Sequence, residues 1–213
     1  MFGGERMTDD FGDFDIEIIA EINHAPRRTI NDVVSEGLRL QKQGADIIDF
    51  GCDPASRCQN IAEYLHAMCA AGLKVSVDTF DPQEAQQATK HGASLVLSVN
   101  STNRDQCVDW GCEVVVIPDA PGDERSFDET IEFLDKRGVP HRLDPILEPV
   151  GTGFMESLVR YSSTRKRHPQ KPMMMGIGNV TELTDVDSAG VNMLLMGICQ
   201  ELGIQCVLTT QVI

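Results

Sequence analysis

The sequence lacks the features that would place it in a membrane, in a secretory pathway or among disulfide-stabilised proteins. No apolar run approaches the ~18 to 20 residues that a membrane helix needs, and no basic start followed by an apolar stretch predicts a secretion signal. The seven cysteines are an odd number and include no C-x-x-C pair, which favours free thiols in a reducing compartment. We therefore expect a soluble, cytoplasmic protein.

Positive charge is also scarce. The chain has 18 Lys and Arg residues against 33 Asp and Glu, a formal net charge of −15, which would repel phosphate backbones and anionic membranes. We predict that neither nucleic acid nor a membrane is a partner. A length of 213 residues with 41% hydrophobic content fits one domain, which we place at residues 16–213, after a flexible acidic leader at residues 1–15.

Helix caps and glycine stops divide the chain into a repeating unit of strand and helix. Thr29 and Asp81 are placed to cap two of the helices, and Ser126 with Glu129 predicts a capping box at a third. Between these helices lie short apolar runs without clean alternation. Such runs are typical of a parallel sheet that is covered on both faces.

The repeat gives eight strands separated by seven helices, at a spacing of roughly 20 to 30 residues. This order predicts an α/β fold of the TIM (β/α)8 barrel type, and an open doubly wound sheet is the alternative. No G-x-G-x-x-G follows the first strand, which weakens that alternative. Because no eighth helix follows the last strand, we expect the barrel to need a second copy of the chain, as in a homodimer, or additional domains of a longer chain.

Asp and Asn residues stand at the predicted carboxyl ends of the first seven strands, where a barrel places its active site. No His or Lys is among them. They are Asn23, Asp49, Asp78, Asn100, Asp119, Asp144 and Asn179. Asp and Asn also favour loop starts and helix caps, and this structural interpretation is favoured for Asp119, beside Pro118.

A ring of these residue types suits a particular class of ligand. Ionised carboxylates accept two parallel N–H donors, and Asn adds both a donor and an acceptor. A heterocycle with an amidine-like edge and a carbonyl, such as a pterin, would match such a ring. A divalent metal held by several carboxylates is the competing interpretation.

Five motifs, in order and at barrel spacing, resemble those of the pterin-binding barrel family, which includes dihydropteroate synthase and the methyltetrahydrofolate-dependent methyltransferases. The resemblance extends from about residue 16 to the end of the chain. The motifs are "EINHAP", "GADIIDFG", "VSVDTF", "VLSVNST" and "LDPILEPVGTGF". The resemblance implies a reduced pterin as substrate or cofactor, held by Asp78, Asn100, Asp144, Asn179 and Asp49, with Asn23, Ser56 and Arg57 on a phosphate and metal side where Asn23 would lie near Mg²⁺.

Two departures from the synthase pattern separate the possible functions. The Ser-Arg-Lys motif after strand 7 is replaced by "GIGNVTE", which resembles the methyltransferase branch, where an Asn at the position of Asn179 faces the pterin N5. The Arg-x-His motif after strand 8 is absent. The overall resemblance is to dihydropteroate synthase-related proteins of folate or tetrahydromethanopterin metabolism. The resemblance predicts a transferase of this one-carbon chemistry, with a methyl-pterin-dependent methyltransferase and a noncatalytic pterin-binding subunit as alternatives.

A zinc site is a further alternative on the loop after strand 2. Cys52 and Cys58, together with His24, carry the side chains that zinc prefers. Their C-x5-C spacing is unusual for zinc sites, so we favour the pterin interpretation for this end of the barrel.

Overall fold

Eight short, mostly apolar segments form parallel strands in the computed structural model, which describes residues 15–181 and 188–212. The strands are three to seven residues long and largely buried. Their bounds are β1 Glu17–Ile22, β2 Ile47–Gly51, β3 Val75–Asp78, β4 Ala93–Val99, β5 Glu113–Val116, β6 His141–Leu143, β7 Met174–Gly176 and β8 Cys206–Thr209.

Helices connect the strands, and the predicted caps explain where two of them begin. The Thr29 side chain accepts a hydrogen bond from the Asp32 N–H, and Asp81 accepts from the N–H groups of Gln83 and Glu84. A 3-10 helix also spans Ala25–Arg27. The α-helices are α1 Ile30–Lys42, α2 Ile61–Ala70, α3 Pro82–Lys90, α4 Arg104–Cys107, α5 Glu124–Arg137, α6 Phe154–Arg167, α7 Gly178–Thr181 and α8 Ser188–Leu202.

The capping box predicted for α5 is wrong. The helix begins three residues earlier than expected, and its N-cap is Asp123, whose side chain accepts from the Ser126 N–H. Ser126 is buried inside the first turn and accepts a hydrogen bond from the Asp119 N–H instead. Glu129 does not cap the helix but pairs with Arg125 at 2.7 Å.

The strands form one sheet in the order β6-β5-β4-β3-β2-β1-β8-β7, and every pairing is parallel. A parallel bridge between Leu143 and Met173 joins the two outer strands, and the Leu143 N–H donates to the Pro172 carbonyl at 2.9 Å. The sheet therefore closes on itself, and the prediction of a (β/α)8 barrel is confirmed.

The barrel interior is layered along its axis. Near the amino ends of the strands, Arg142 pairs with Glu17 at 2.8 Å and with Glu113 at 2.6 Å. Above this ionic layer lies an apolar one, separate from the larger core between sheet and helices. It is formed by Ile19, Ile47, Leu95, Leu97, Val115, Met174 and Cys206. Polar side chains follow at the carboxyl ends, so the apolar layer is the floor of the barrel mouth.

The remaining fold predictions concern the two ends of the chain. The leader predicted at residues 1–15 lies outside the described residues except for Asp15, and Ile213 lies outside them too. After β8 the described chain consists of residues 210–212, which form no helix. Within the described part of the chain, none of the helices has the length and apolar character required to cross a membrane.

Candidate functional site

Two adjoining cavities open at the carboxyl ends of the strands and share Asp78. The smaller, of about 190 Å³, is called the inner cavity; it has an apolar floor that includes Leu97, Val115 and Met174, and Asp144 and Asn179 also line it. The larger, of about 470 Å³, is called the outer cleft; it lies between the loops after β1, β2 and β3. The predicted edge of the barrel therefore carries a concave, partly polar site of the kind that binds small molecules.

Asp78, the last residue of β3, is held by a serine from the next strand. The Ser98 hydroxyl donates to Asp78 Oδ1 at 2.6 Å. Ser98 reaches it because β4 shifts register between Val96 and Val99, and Ser98 itself takes a left-handed φ of 67°. Such an irregularity can re-aim a side chain toward a site. Burial raises the pKa of Asp78, and the Ser98 hydrogen bond opposes that rise.

Asp144, just after β6, is held by a helix and by its own loop. The Tyr161 hydroxyl, fully buried on α6, donates to Asp144 Oδ1 at 2.5 Å, and the Ile146 N–H donates to the same oxygen at 2.8 Å. Burial raises the pKa of Asp144 to about 6, although both hydrogen bonds favour the charged form. Asp144 is therefore mostly ionised near neutral pH and can accept from a ligand.

Asp49 lies within the barrel, in register with Glu21 on β1 and Ser76 on β3. It is 0% exposed, and its Oδ1 accepts from the Ser76 hydroxyl at 2.6 Å. Its Oδ2 has no hydrogen-bond partner among the described residues. Burial, together with the nearby charges of Glu21 and Asp78, raises the pKa of Asp49 well above its ordinary value. Burial with one unpaired oxygen therefore favours the neutral form of Asp49, since an unpaired buried charge is costly.

Three non-glycine residues with left-handed backbone all belong to loops or strand ends at this edge of the barrel. His24, Ser98 and Ile146 have φ values of 49°, 67° and 67°. A β-branched residue such as Ile146 rarely adopts this conformation. Backbone strain of this kind tends to cluster at functional sites, and here two of the three residues contact the carboxylates of the inner cavity.

The structure brings only some of the predicted pterin residues to the cavities. Asp78, Asp144 and Asn179 line the inner cavity, and the Asn179 amide donates to the Leu147 carbonyl at 3.0 Å. Gly176 lies against both Asp144 and Asn179, and a Cβ there would be 3.6 Å from Asp144 Oδ2 and 3.5 Å from Asn179 Nδ2. Asp49 is beneath the surface and lines neither cavity.

Asn100 and Asp119 instead stabilise the loop after β4. Asn100 is 6% exposed, and its Oδ1 accepts from the N–H and hydroxyl of Thr102. The Asp119 carboxylate accepts from the N–H and hydroxyl of Ser101. Neither residue lines the inner cavity or the outer cleft, and the structural interpretation of Asp119 agrees with these contacts.

The predicted phosphate and metal residues, Asn23, Ser56 and Arg57, all line the outer cleft. Arg57 is already paired there: its Nε donates to Asp81 Oδ2 at 2.5 Å, and a terminal nitrogen donates to Gln83 Oε1 at 2.6 Å. Glu84 in the same wall is buried and accepts from the Cys58 N–H at 2.6 Å and from the Thr79 hydroxyl. Hydrogen bonds and an ion pair therefore join the loop after β2 to the loop after β3 on this side of the outer cleft.

The residues present do not fit a protein-held metal. In residues 15–181 and 188–212, no group of three or more His, Cys, Asp or Glu side chains is placed to hold an ion. Zinc at Cys52, Cys58 and His24 is therefore not supported, and burial raises the pKa of both thiols, which disfavours the thiolates that zinc requires. Mg²⁺ at Asn23 likewise lacks a carboxylate set of this kind.

Comparison with known proteins finds a family that is similar to part of the chain. Residues 23–117, which carry three of the five motifs in full and the last four residues of "EINHAP", match the family model described as pterin binding enzyme. Over this part of the chain, the sequence is similar to the pterin binding enzyme family. The resemblance inferred from the motifs is confirmed, and the matched segment contains β2 to β5, including Asp78 and every residue that lines the outer cleft except Glu21.

Relatives and solved structures extend the likeness to most of the chain. An uncharacterized protein of Methanocaldococcus jannaschii is 33% identical over 218 residues, which cover 93% of this chain and 41% of that relative. This chain thus spans about two fifths of the length of that curated relative. A Xanthomonas albilineans dihydropteroate synthase in complex with 7,8-dihydropteroate superposes with a TM-score of 0.74 at 20% identity, covering 93% of this chain and 88% of that one.

A second solved structure agrees. The Yersinia pestis synthase with a pterine-sulfa conjugate has a TM-score of 0.74 at 18% identity, again over 93% of this chain and 88% of the other. Identities this low show a shared fold. The barrel of this chain therefore has the same fold as these dihydropteroate synthases.

Three residues of the site escaped prediction from the sequence. Glu21 lines the outer cleft, and its position near the end of an apolar strand was the signal that could have revealed it. Ser98 depends on a local shift of register, and Tyr161 lies on a helix 17 residues from its partner Asp144. No local sequence pattern indicates either contact.

Proposed function

We propose that this chain binds a reduced pterin in the inner cavity and serves in a dihydropteroate synthase-like transferase of folate or tetrahydromethanopterin metabolism. The observation that supports it best is the placement of Asp78 and Asp144 around one apolar-floored cavity. Each carboxylate has one oxygen held by a hydroxyl donor. The second oxygens are suited to accept the paired N–H groups of a pterin edge, a charge-assisted geometry with high specificity.

The raised pKa values of these carboxylates are consistent with a site completed by its ligand. Burial raises the pKa of Asp78 and of Asp144, and donors from a bound heterocycle would favour the charged forms. The transferase would then act by orienting the pterin toward a second substrate.

A methyl-pterin-dependent methyl transfer is the second candidate, and Asn179 favours it. Asn179 lines the inner cavity beside Asp144, on the short helix that follows β7. Its amide can face a ring nitrogen of a pterin held by the two carboxylates. The family resemblance places an Asn with that role at this position in the methyltransferase branch.

Isothermal titration calorimetry with 7,8-dihydropterin tests the shared core of both candidates. We expect Asp78→Asn and Asp144→Asn each to weaken binding by ~1.5 to 3 kcal/mol, the range for hydrogen bonds to charged groups. The matched control is Asp109→Asn, an exposed residue outside both cavities, which should bind as the unmodified protein does. Unchanged affinity in both site variants would refute the proposal.

A further inference from the structure

We propose that the outer cleft selects a pterin whose substituent is neutral or cationic, and that it excludes a pterin diphosphate. The inference rests on the proposed function, because the outer cleft adjoins the inner cavity through Asp78 and would receive the substituent of a bound pterin. Five acidic residues line the cleft, against one Arg and one His. Asp53 pairs with Arg27 at 2.6 Å and Asp81 with Arg57 at 2.5 Å, so the acidic excess comes from the other three. The acidic residues are Glu21, Asp53, Asp78, Asp81 and Glu84, and the others are His24 and Arg57.

The position of the Glu21 side chain in the cleft depends on Gly51 of the neighbouring strand. It lies near the end of β1, and its carboxylate occupies space that exists only because residue 51 on β2 is a glycine: a Cβ at Gly51 would be 2.6 Å from Glu21 Oε1. The Glu21 charge also raises the pKa of Asp49, after burial, so the two carboxyl groups are electrostatically close. A phosphate entering beside Glu21 and Asp78 would meet like charge in a partly enclosed site.

The groups that could bind phosphate are already occupied. Arg57 is the only Lys or Arg among the described residues lining the cleft, and it donates to Asp81 and to Gln83. The N-terminus of α3, a natural anion site, is occupied by the Asp81 carboxylate, which accepts from the N–H groups of Gln83 and Glu84. The Asp81 carboxylate thus pairs with Arg57 and also caps the N-terminus of α3. A diphosphate would have to displace Asp81 to bind either group.

A metal could in principle neutralise the acidic wall, but the side chains do not form a protein-held site. Within the described chain no set of three or more acidic, His or Cys side chains is arranged around an ion. Mg²⁺ usually binds through one or two carboxylates together with substrate phosphates, so the diphosphate has to be compared with and without Mg²⁺. A methylated or otherwise uncharged pterin meets none of this repulsion, which favours methyl transfer over displacement of diphosphate in this chain.

The test compares 6-hydroxymethyl-7,8-dihydropterin with its diphosphate by calorimetry, with and without Mg²⁺. We expect the diphosphate to bind at least about tenfold more weakly, since like-charge contacts strongly disfavour a partner. Asp81→Asn keeps a good N-cap but releases Arg57, and Glu21→Gln removes one charge. Each variant should reduce the ratio of hydroxymethylpterin affinity to diphosphate affinity by about threefold or more.

The matched control is Glu63→Gln, an exposed Glu on α2 outside the cleft, which should leave the preference unchanged. Circular dichroism melting establishes that each variant is folded. Equal or tighter binding of the diphosphate in either buffer would overturn the inference, as would an unchanged preference in both cleft variants. If neither hydroxymethylpterin, 7,8-dihydropterin nor a 5-methyl reduced pterin binds, the proposed function fails first, and the inference fails with it.

Discussion

At the scale of single residues, burial disfavours the charged form of three carboxyl groups at or just below the barrel mouth. Burial is the largest cause of the raised pKa of Asp49, Asp78 and Asp144. Ser76, Ser98 and Tyr161 each donate one hydroxyl hydrogen bond to these groups. Because a donor stabilises the charged form, each hydroxyl increases the fraction of its carboxyl group that is ionised at a given pH. Only the ionised form is purely a hydrogen-bond acceptor.

Ser98 provides the clearest test of this role. Ser98→Ala should weaken pterin binding by about 1 kcal/mol and move the loss of binding on acidification to higher pH, because the Ser98 bond lowers the pKa of Asp78. Ser98→Gly should lose binding equally but be about 0.4 to 1 kcal/mol more stable than the Ala variant, since φ at this position is 67°. Calorimetry over a pH series and urea unfolding measure the two effects.

The control is Ser94→Ala on the same strand, whose hydroxyl donates to the Val75 carbonyl away from the cavities. It should leave both the affinity and the pH profile unchanged. A Ser98→Ala profile that coincides with that of Ser94→Ala would contradict a positioning role for Ser98.

The sequence predicted those site residues that stand directly at strand ends. Asp78 and Asp144 follow apolar runs, and the topology alone carries them to one edge. Asn100 obeys the same rule, yet its side chain turns to Thr102, because Asn readily hydrogen-bonds its own loop. Strand ends thus predict which residues reach the barrel mouth, whereas local hydrogen bonding decides which of them line a cavity.

At the scale of elements, helix starts could be predicted where one cap candidate precedes the apolar face. Thr29 and Asp81 are such cases, and both accept the expected backbone hydrogen bonds. At α5 the sequence analysis predicted Ser126 as the cap, but Asp123 lies three residues before it. Asp123 is the cap because Ser126 is drawn into the core and bonds the Asp119 N–H. Tertiary contacts of this kind cannot be predicted from the local sequence.

The two candidates for the α5 cap make different predictions for stability. Asp123→Ala should lower the free energy of unfolding by about 1 kcal/mol, the typical loss of an N-cap, whereas Asp123→Asn should change it by a few tenths. Glu129→Gln should stay within about 0.5 kcal/mol, because its exposed pair with Arg125 contributes little. Urea denaturation separates them, and an equal loss for Glu129→Gln and Asp123→Ala would restore the capping box.

At the scale of the whole molecule, two polar layers enclose the apolar floor of the barrel. The upper layer is the site, with its acidic excess. The lower layer is a balanced ionic network in which Arg142 on β6 bridges to Glu113 on β5 and, across the barrel, to Glu17 on β1, which also accepts from Lys74. Alternation along short strands predicts neither layer, because the partners are up to 125 residues apart in sequence.

The lower layer predicts a pH-dependent contribution to stability. Burial alone would raise the pKa of Glu17, but hydrogen bonds from Arg142 and Lys74 hold it below its ordinary value of 4.5. A lowered folded-state pKa stabilises the fold above about pH 4.5 and loses that contribution as the pH falls further. Arg142→Met should therefore cost about 3 kcal/mol near neutral pH, since it leaves two partly buried carboxylates without their shared partner.

The cost of Arg142→Met should shrink toward pH 4, because Glu17 can then take up a proton in the variant. Urea unfolding at a series of pH values measures the difference from the unmodified protein. The control is Arg125→Met, which removes an arginine that is 88% exposed from a surface pair and should cost less than about 0.5 kcal/mol at every pH. A loss for Arg142→Met that matches the control, or that stays constant with pH, would mean that the apolar layers close the barrel without help from this network.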